Sequence, residues 1–223
     1  MRSTLGLAGD LDDVEFVQDV ERAFGVRLPD DELSRCSTVG DLFELVVRRL
    51  PDQHENANRC ASAMCFYRVR RVVLTFAPDL DVRPSTPARA LRGIPVKKLY
   101  RALKNAGLIP PSVYLSGWGG ISLVLILALP VGLFAAAQPW WSVVLAAMFA
   151  LTLYRLSPVR LPPATATIGD LVEIMTAHIM AALATEGARL RPKEAWKAFK
   201  TICASHAVAE DGEIGPSTLI YAV

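Results

Sequence analysis

The sequence lacks the short motifs that mark the common nucleotide-binding and hydrolytic sites. It contains no G-x-x-x-x-G-K-(S/T) loop, no G-x-S-x-G turn, no H-E-x-x-H helix and no paired C-x-x-C. The two closest cysteines, Cys60 and Cys65, lack the second pair that a zinc site requires. We therefore expect no catalytic residue, no bound metal and no cofactor, although these absences weaken an enzymatic interpretation without excluding it.

The sequence also lacks a large excess of charge of one sign, and it has few histidines. The formal net charge is +2 over 223 residues, so no overall field recruits nucleic acid, and we predict no nucleic-acid partner. One of the three histidines, His206, lies three residues after Cys203 on a predicted helix, where it could lower the pKa of the thiol. No third group is available to orient the pair, and a packed helix face explains both residues.

Charge is missing altogether from residues 116–154, which are mostly apolar. This block is about twice the roughly 20 residues that one membrane crossing requires. We therefore predict a transmembrane helical hairpin over residues 116–156, with its turn at residues 137–139. A buried hairpin in a water-soluble core and a re-entrant or interfacial hairpin remain alternatives.

Basic residues on both sides of this block predict an orientation and a lipid contact. The turn of the hairpin has no basic residue, so the positive-inside rule places both termini in the cytoplasm of a bacterial-type inner membrane. We predict that membrane lipid is a partner and that its headgroups contact the basic run before the block, although a solvated helix face is the alternative. The candidate headgroup-binding residues are Arg92, Lys97, Lys98, Arg101 and Lys104.

Apolar periodicity predicts several helices outside the uncharged block. Apolar residues recur at three- and four-residue steps over residues 11–24, which predicts an amphipathic helix that Gly25 ends. Thr38 and Asp41 have the spacing of a capping box, which predicts that a helix begins there. Further helices are predicted over about 57–77, about 95–107, from 167 onward and over 192–208.

Residues 9–46 resemble the second, third and fourth helices of an acyl carrier protein. That family reads D-S-L-D-x-V-E at the start of its second helix, then F-G-(V/I)-x-(I/L)-P, and later T-V-x-D-(L/A). The matching residues are Leu11, Asp12, Val14, Glu15, Phe24, Pro29, Thr38, Val39, Gly40 and Asp41. The resemblance implies a phosphopantetheine serine at the position where this chain has Asp10. Because a carboxylate cannot form that phosphodiester, we expect this chain not to be pantetheinylated.

The end of the chain resembles the first helix of such a carrier, which residues 9–46 do not include. Residues 192–208 are predicted to be helical. Residues 210–223, which contain the sequence P-S-T, resemble the I-x-P-x-(T/S)-x-L loop that follows the family's first helix. We therefore predict that residues 190–223 complete residues 1–52 as a circularly permuted module. A homodimer that exchanges the C-terminal segment would satisfy the same pattern.

An internal repeat indicates a second copy of this pattern. The residues that line up with Thr38, Gly40, Asp41 and Leu42 are Thr167, Gly169, Asp170 and Leu171. The R-P-S-T of residues 83–86 likewise repeats the P-S-T of residues 216–218. The resemblance then assigns residues 55–110 and 165–188 to a second module, which the predicted hairpin interrupts.

Together these interpretations predict an all-α fold of two small acyl-carrier-like helical bundles and a two-helix transmembrane hairpin. In carrier proteins the acidic second helix meets basic partners, so the resemblance implies a non-catalytic, membrane-anchored docking or scaffold protein. The residues expected to bind a basic protein partner are Asp12, Asp13, Glu15, Asp19 and Glu21. The alternative function is an accessory subunit or enzyme of acyl or lipid metabolism at the membrane surface.

Overall fold

The computed structural model of the protein describes residues 3–7, 11–50, 58–112, 114–115, 144, 148, 152, 159–160, 165–207 and 213–221. The helices in these residues are α1 (Leu11–Phe24), α2 (Asp30–Leu33), α3 (Val39–Arg49), α4 (Ala61–Phe76), α5 (Val96–Asn105), α6 (Ile168–His178), α7 (Met180–Thr185) and α8 (Pro192–His206). The strands are β1 (Thr4–Leu7), β2 (Tyr114–Leu115), β3 (Val159–Arg160) and β4 (Leu219–Tyr221), and a 3₁₀ helix spans Ala88–Gly93.

The helix predictions made from periodicity and capping are confirmed in these residues, except that α4 begins at Ala61 and not near residue 57. Helix α1 ends at Phe24, and Gly25 follows with a φ of +66°. A Cβ at Gly25 would also lie 2.9 Å from the Cβ of Ala181. Glycine is therefore required here both by the left-handed backbone and by the close approach of α7.

The prediction of an all-α fold is wrong, because strands join the two ends of the chain. Strand β1 pairs in parallel with β4, with Thr4 opposite Leu219 and Leu7 opposite Tyr221. Strands β2 and β3 form a second, antiparallel pair. These strands have two to four residues, too few to show the alternation by which a strand is recognised in a sequence. Their backbone groups find partners only because distant segments meet in the fold.

The predicted transmembrane hairpin is also corrected. Among the residues that the structure describes, no helix is long and apolar enough to cross a membrane. The predicted two-helix hairpin, the inner-membrane localisation and the membrane anchor are therefore wrong. The prediction rested on the missing charge of the block, whereas a span requires a continuous helix of about 20 residues. Apart from positions 144, 148 and 152, the residues from 116 to 156 lie outside the described part of the chain.

One continuous cluster of buried side chains joins the described helices. Helix α6 packs against both α8 and α4, and α1 packs against α6, α7 and α8. The predicted division into residues 1–52 with 190–223 and residues 55–110 with 165–188 stays a prediction. The helices assigned to the two modules nevertheless share their hydrophobic core.

Candidate functional site

Two helices of the repeat begin with the same reciprocal cap. The side chain of Thr38 accepts a hydrogen bond from Asp41 N at 3.1 Å, and the Asp41 carboxylate accepts one from Thr38 N at 2.9 Å. Thr167 and Asp170 do the same at the start of α6, at 3.2 and 2.8 Å. Two hydrogen bonds lower the pKa of Asp41: the larger effect comes from the side chain of Thr38, and the smaller one from its backbone. The capping box predicted at Thr38 is confirmed, and its repeat has the same geometry.

The N-terminus of α3 lies on the C-terminal P-S-T loop. Val39 N donates to Thr218 O, and Gly40 N donates to Pro216 O, both at 2.9 Å. A Cβ on Gly40 would stand 2.8 Å from the carbonyl oxygen of Pro216. The loop can therefore satisfy the first amides of α3 only because residue 40 has no side chain.

The N-terminus of α6 is built in the same way on the loop of residues 83–86. Ile168 N donates to Thr86 O at 2.9 Å, and Gly169 N donates to Pro84 O at 2.8 Å. A Cβ on Gly169 would stand 3.0 Å from the Pro84 carbonyl oxygen. The sequence repeat is therefore also a repeat of tertiary contacts, in which a P-S-T loop closes the start of a T-x-G-D-L helix.

A cleft of about 660 Å³ opens beside this second loop, between the N-terminal parts of α4 and α8 and along α6. Four of the residues that line it carry charge: Asp170, Glu173, Glu194 and Lys197. Lys197 Nζ lies 2.7 Å from a Glu173 carboxylate oxygen. One carboxylate oxygen of Glu194 is buried and has no hydrogen-bond partner. Phe66, Tyr67 and Met180 supply part of the apolar lining.

Sequence reasoning missed this cleft, because its walls come from four separate helices and from the loop of residues 83–86. Glu194 lies in the first turn of α8, where attraction between a carboxylate and the helix N-terminus explains its presence in the sequence without a ligand. No group of three His, Cys, Asp or Glu side chains within the described ranges could hold a metal ion. Neither histidine nor cysteine is among the cleft-lining residues that the structure describes.

The acidic residues predicted to bind a partner fall into two groups. Asp19 lies 3.1 Å from His206 Nε2 and also forms an ion pair with Arg22, and Glu21 accepts a hydrogen bond from Leu28 N at 2.7 Å. Asp19 therefore connects α1 to α8, and Glu21 fixes the segment that follows α1.

The other acidic residues of α1 lie towards its N-terminus. Glu15 is exposed, and Asp13 is half-buried and accepts a hydrogen bond from Val14 N. Between them, Val14 is 51% exposed. The side chain of Asp12, and all of Asp10, lie outside the described residues. Of the side chains described, Asp13 and Glu15 are thus the predicted residues that can face a partner.

The predicted basic run lies on the outer side of α5 and the 3₁₀ helix. Leu99 and Leu103 of α5 are buried. The exposed residues are Arg92, Lys97, Lys98, Arg101 and Lys104. The structure agrees with a charged outer face, and the assignment of this face to lipid headgroups stays a prediction.

His206 does not activate the Cys203 thiol, in agreement with the predicted packed helix face. Cys203 is completely buried, and burial raises its pKa to about 12. The His206 ring instead packs edge-on against Phe16 and meets Asp19. A buried thiol of high pKa is a poor nucleophile, so the packed-face interpretation describes this residue.

These environments predict the order in which the thiols react with Ellman's reagent. Cys60 is exposed and should react first, and Cys36 is half-buried with a pKa that burial raises, so it should follow slowly. Burial also raises the pKa of Cys65, and we expect Cys65 and Cys203 to react only after unfolding. The variant Cys60→Ser should lose the fast phase alone. A native-state reaction of Cys203 at the rate of Cys60 would contradict this assignment.

Comparison of the chain with family models, with curated proteins and with solved structures found no match. The acyl-carrier resemblance therefore stays a prediction that rests on the motifs of residues 9–46 and on their repeat.

Proposed function

We propose that this chain is a non-catalytic protein-docking module that resembles an acyl carrier protein but is not pantetheinylated. Its docking element is the N-terminal half of α1, and its partner presents a basic surface with an apolar side chain. The observation that carries the proposal is the exposed pair Val14 and Glu15 near the start of α1, beside the half-buried Asp13.

The anchoring of α1 supports this proposal. Asp19 contacts His206 of α8, and Glu21 accepts a hydrogen bond from the Leu28 amide. Phe16, Val20 and Phe24 are at most 1% exposed and hold the opposite side of the helix in the core. A helix fixed in this way presents its outer residues without an ordering cost on binding, which favours affinity.

Photo-crosslinking tests the proposal directly. Val14 is replaced with p-benzoylphenylalanine in the full chain, which is then expressed and irradiated in its host. We expect a discrete adduct whose partner peptide is rich in Lys and Arg. The charge reversal Asp13→Lys/Glu15→Lys should abolish the adduct, because like charges across an interface disfavour contact.

A matched reversal keeps the experiment specific. Glu44 and Asp79 are exposed acidic residues that lie away from α1, on α3 and after α4. The double variant Glu44→Lys/Asp79→Lys therefore changes the net charge by the same amount. This control should retain the adduct. Survival of the adduct in the Asp13/Glu15 variant, or its loss in the control, would show that α1 is not the docking element.

The alternative role in acyl or lipid metabolism has less support from the described residues. The acid–base groups of the cleft are engaged in part, since Asp170 caps α6 and Glu173 pairs with Lys197. Thr176 donates its hydroxyl hydrogen to Val172 O and is buried. An activated nucleophile with an adjacent base is therefore not formed by these groups.

A further inference from the structure

The cleft between α4, α6 and α8 has the volume and lining of a small-molecule site. Its volume of about 660 Å³ lies within the roughly 300–1,000 Å³ of typical ligand pockets. The rings of Phe66 and Tyr67 meet edge to face with centroids 5.6 Å apart, and Tyr67 is 60% exposed. An exposed tyrosine at the rim of an apolar cleft offers a ring face that no described element covers.

The charges in the cleft are not balanced. Lys197 neutralises Glu173, and no described cation forms an ion pair with Glu194 or Asp170. Asp170 is engaged by the Thr167 amide, but one oxygen of Glu194 is buried with no hydrogen-bond partner. The Glu194 side chain lines the cleft, so a ligand that brings a positively charged donor can pair with this carboxylate.

The internal repeat shows how the cleft arises. Phe43 and Val172 each lie two residues after the capping aspartate of their helix. In the first copy the Phe43 ring packs against Trp196, with centroids 4.9 Å apart, and against Phe199 at 5.3 Å. In the second copy the smaller Val172 lines the cleft. The position that an aromatic side chain fills in one half of the molecule thus holds a smaller side chain, beside the cleft, in the other.

We propose that this cleft binds a small organic cation with an apolar body, whose ammonium group pairs with Glu194 while its hydrocarbon part lies against Phe66, Tyr67 and Met180. Carboxylate and aromatic faces together select a cation, because both attract positive charge and the apolar lining excludes strongly hydrated ions. This site is separate from α1, so it stands or falls independently of the proposed docking function.

The test uses phenethylammonium as the probe, with 2-phenylethanol and 3-phenylpropanoate as neutral and anionic counterparts of similar shape. Binding to the full-length protein is followed by the methionine-methyl NMR signals. Met180 lines the cleft, whereas Met175 is buried in the core and does not line it. We expect a saturable shift of the Met180 signal with the ammonium probe, weaker binding of the alcohol by about tenfold or more, and none of the carboxylate.

Two variants and a control complete the experiment. Glu194→Gln keeps the side-chain shape and a residue suited to the first helical turn, and it should weaken ammonium binding by about tenfold or more. Ala63→Phe places a ring on the cleft lining and should abolish binding of both the ammonium and the alcohol. Glu44→Gln removes an equal charge from an exposed position on α3 and should change nothing.

Three results would overturn the proposal. The first is the absence of any Met180 shift with the ammonium probe at millimolar concentration. The second is equal binding of all three probes, which would indicate an apolar cleft with no selection for charge. The third is unchanged binding by Glu194→Gln when its melting temperature matches that of the wild-type protein.

Discussion

Replacing Gly40 with alanine will lower the free energy of unfolding by about 1–3 kcal/mol. The added Cβ would lie 2.8 Å from the Pro216 carbonyl oxygen, which is backbone and cannot rotate away. The loop must move, and this strains the bonds from Gly40 N to Pro216 O and from Val39 N to Thr218 O. Gly169→Ala should have a similar effect through Pro84, where the corresponding distance is 3.0 Å.

Chemical denaturation followed by circular dichroism measures these losses, and two other glycines provide the control. A Cβ at Gly93 or at Gly215 would meet nothing within 4 Å. Gly93→Ala and Gly215→Ala should therefore change the free energy of unfolding by no more than about 0.5 kcal/mol, as is usual away from packed positions. If all four variants behaved alike, the contact between the P-S-T loops and the helix starts would not explain the repeat.

Replacing Phe199 with alanine will cost about 3–5 kcal/mol, the range observed when a buried aromatic side chain is truncated. Phe199 is completely buried. Its ring lies 6.2 Å from that of Phe24, 5.3 Å from that of Phe43 and 6.0 Å from that of Trp196. The substitution therefore removes the common contact of α1, α3 and α8. Phe76→Ala, which truncates a ring that is 37% exposed, should cost much less.

The same unfolding experiment tests whether the shared core makes the chain cooperative. Cys65 lies on α4 and Cys203 on α8, and both are completely buried in the one hydrophobic cluster. We expect both thiols to become reactive at the same denaturant concentration, in the wild type and, at a lower concentration, in Phe199→Ala. Exposure of Cys65 and Cys203 in two separate transitions would instead indicate two independently folding modules.

Local signals were sufficient for the helices. The apolar steps over residues 11–24 predicted α1 at its observed bounds, and Thr38 with Asp41 predicted the start of α3. A helix satisfies its hydrogen bonds within a few residues, and its cap is formed by neighbours in sequence. Such features can therefore be recognised without knowing the rest of the fold.

The transmembrane prediction failed for a different reason. It inferred a structure from the absence of charge over residues 116–154, and composition alone does not establish a continuous helix that spans a bilayer.

The acidic residues of α1 show a related difficulty. Asp13, Glu15, Asp19 and Glu21 look equivalent in the sequence, yet His206 and the Leu28 amide engage the last two. Those partners are 187 and 7 residues away, so only the fold distinguishes the structural carboxylates from the accessible ones.

The sequence by itself predicted helices α1, α3, α4, α5, α6 and α8, the capping box at the start of α3, and the duplication of the P-S-T and T-x-G-D-L elements, because these depend on neighbouring residues and on repetition. Only the tertiary structure decided that β1 pairs with β4, that each P-S-T loop closes the start of a helix, and that both halves share one core. It alone also placed the carboxylate of Glu194 in a cleft with the rings of α4. These contacts join residues far apart in the chain, and their energies depend on distances that no local pattern records.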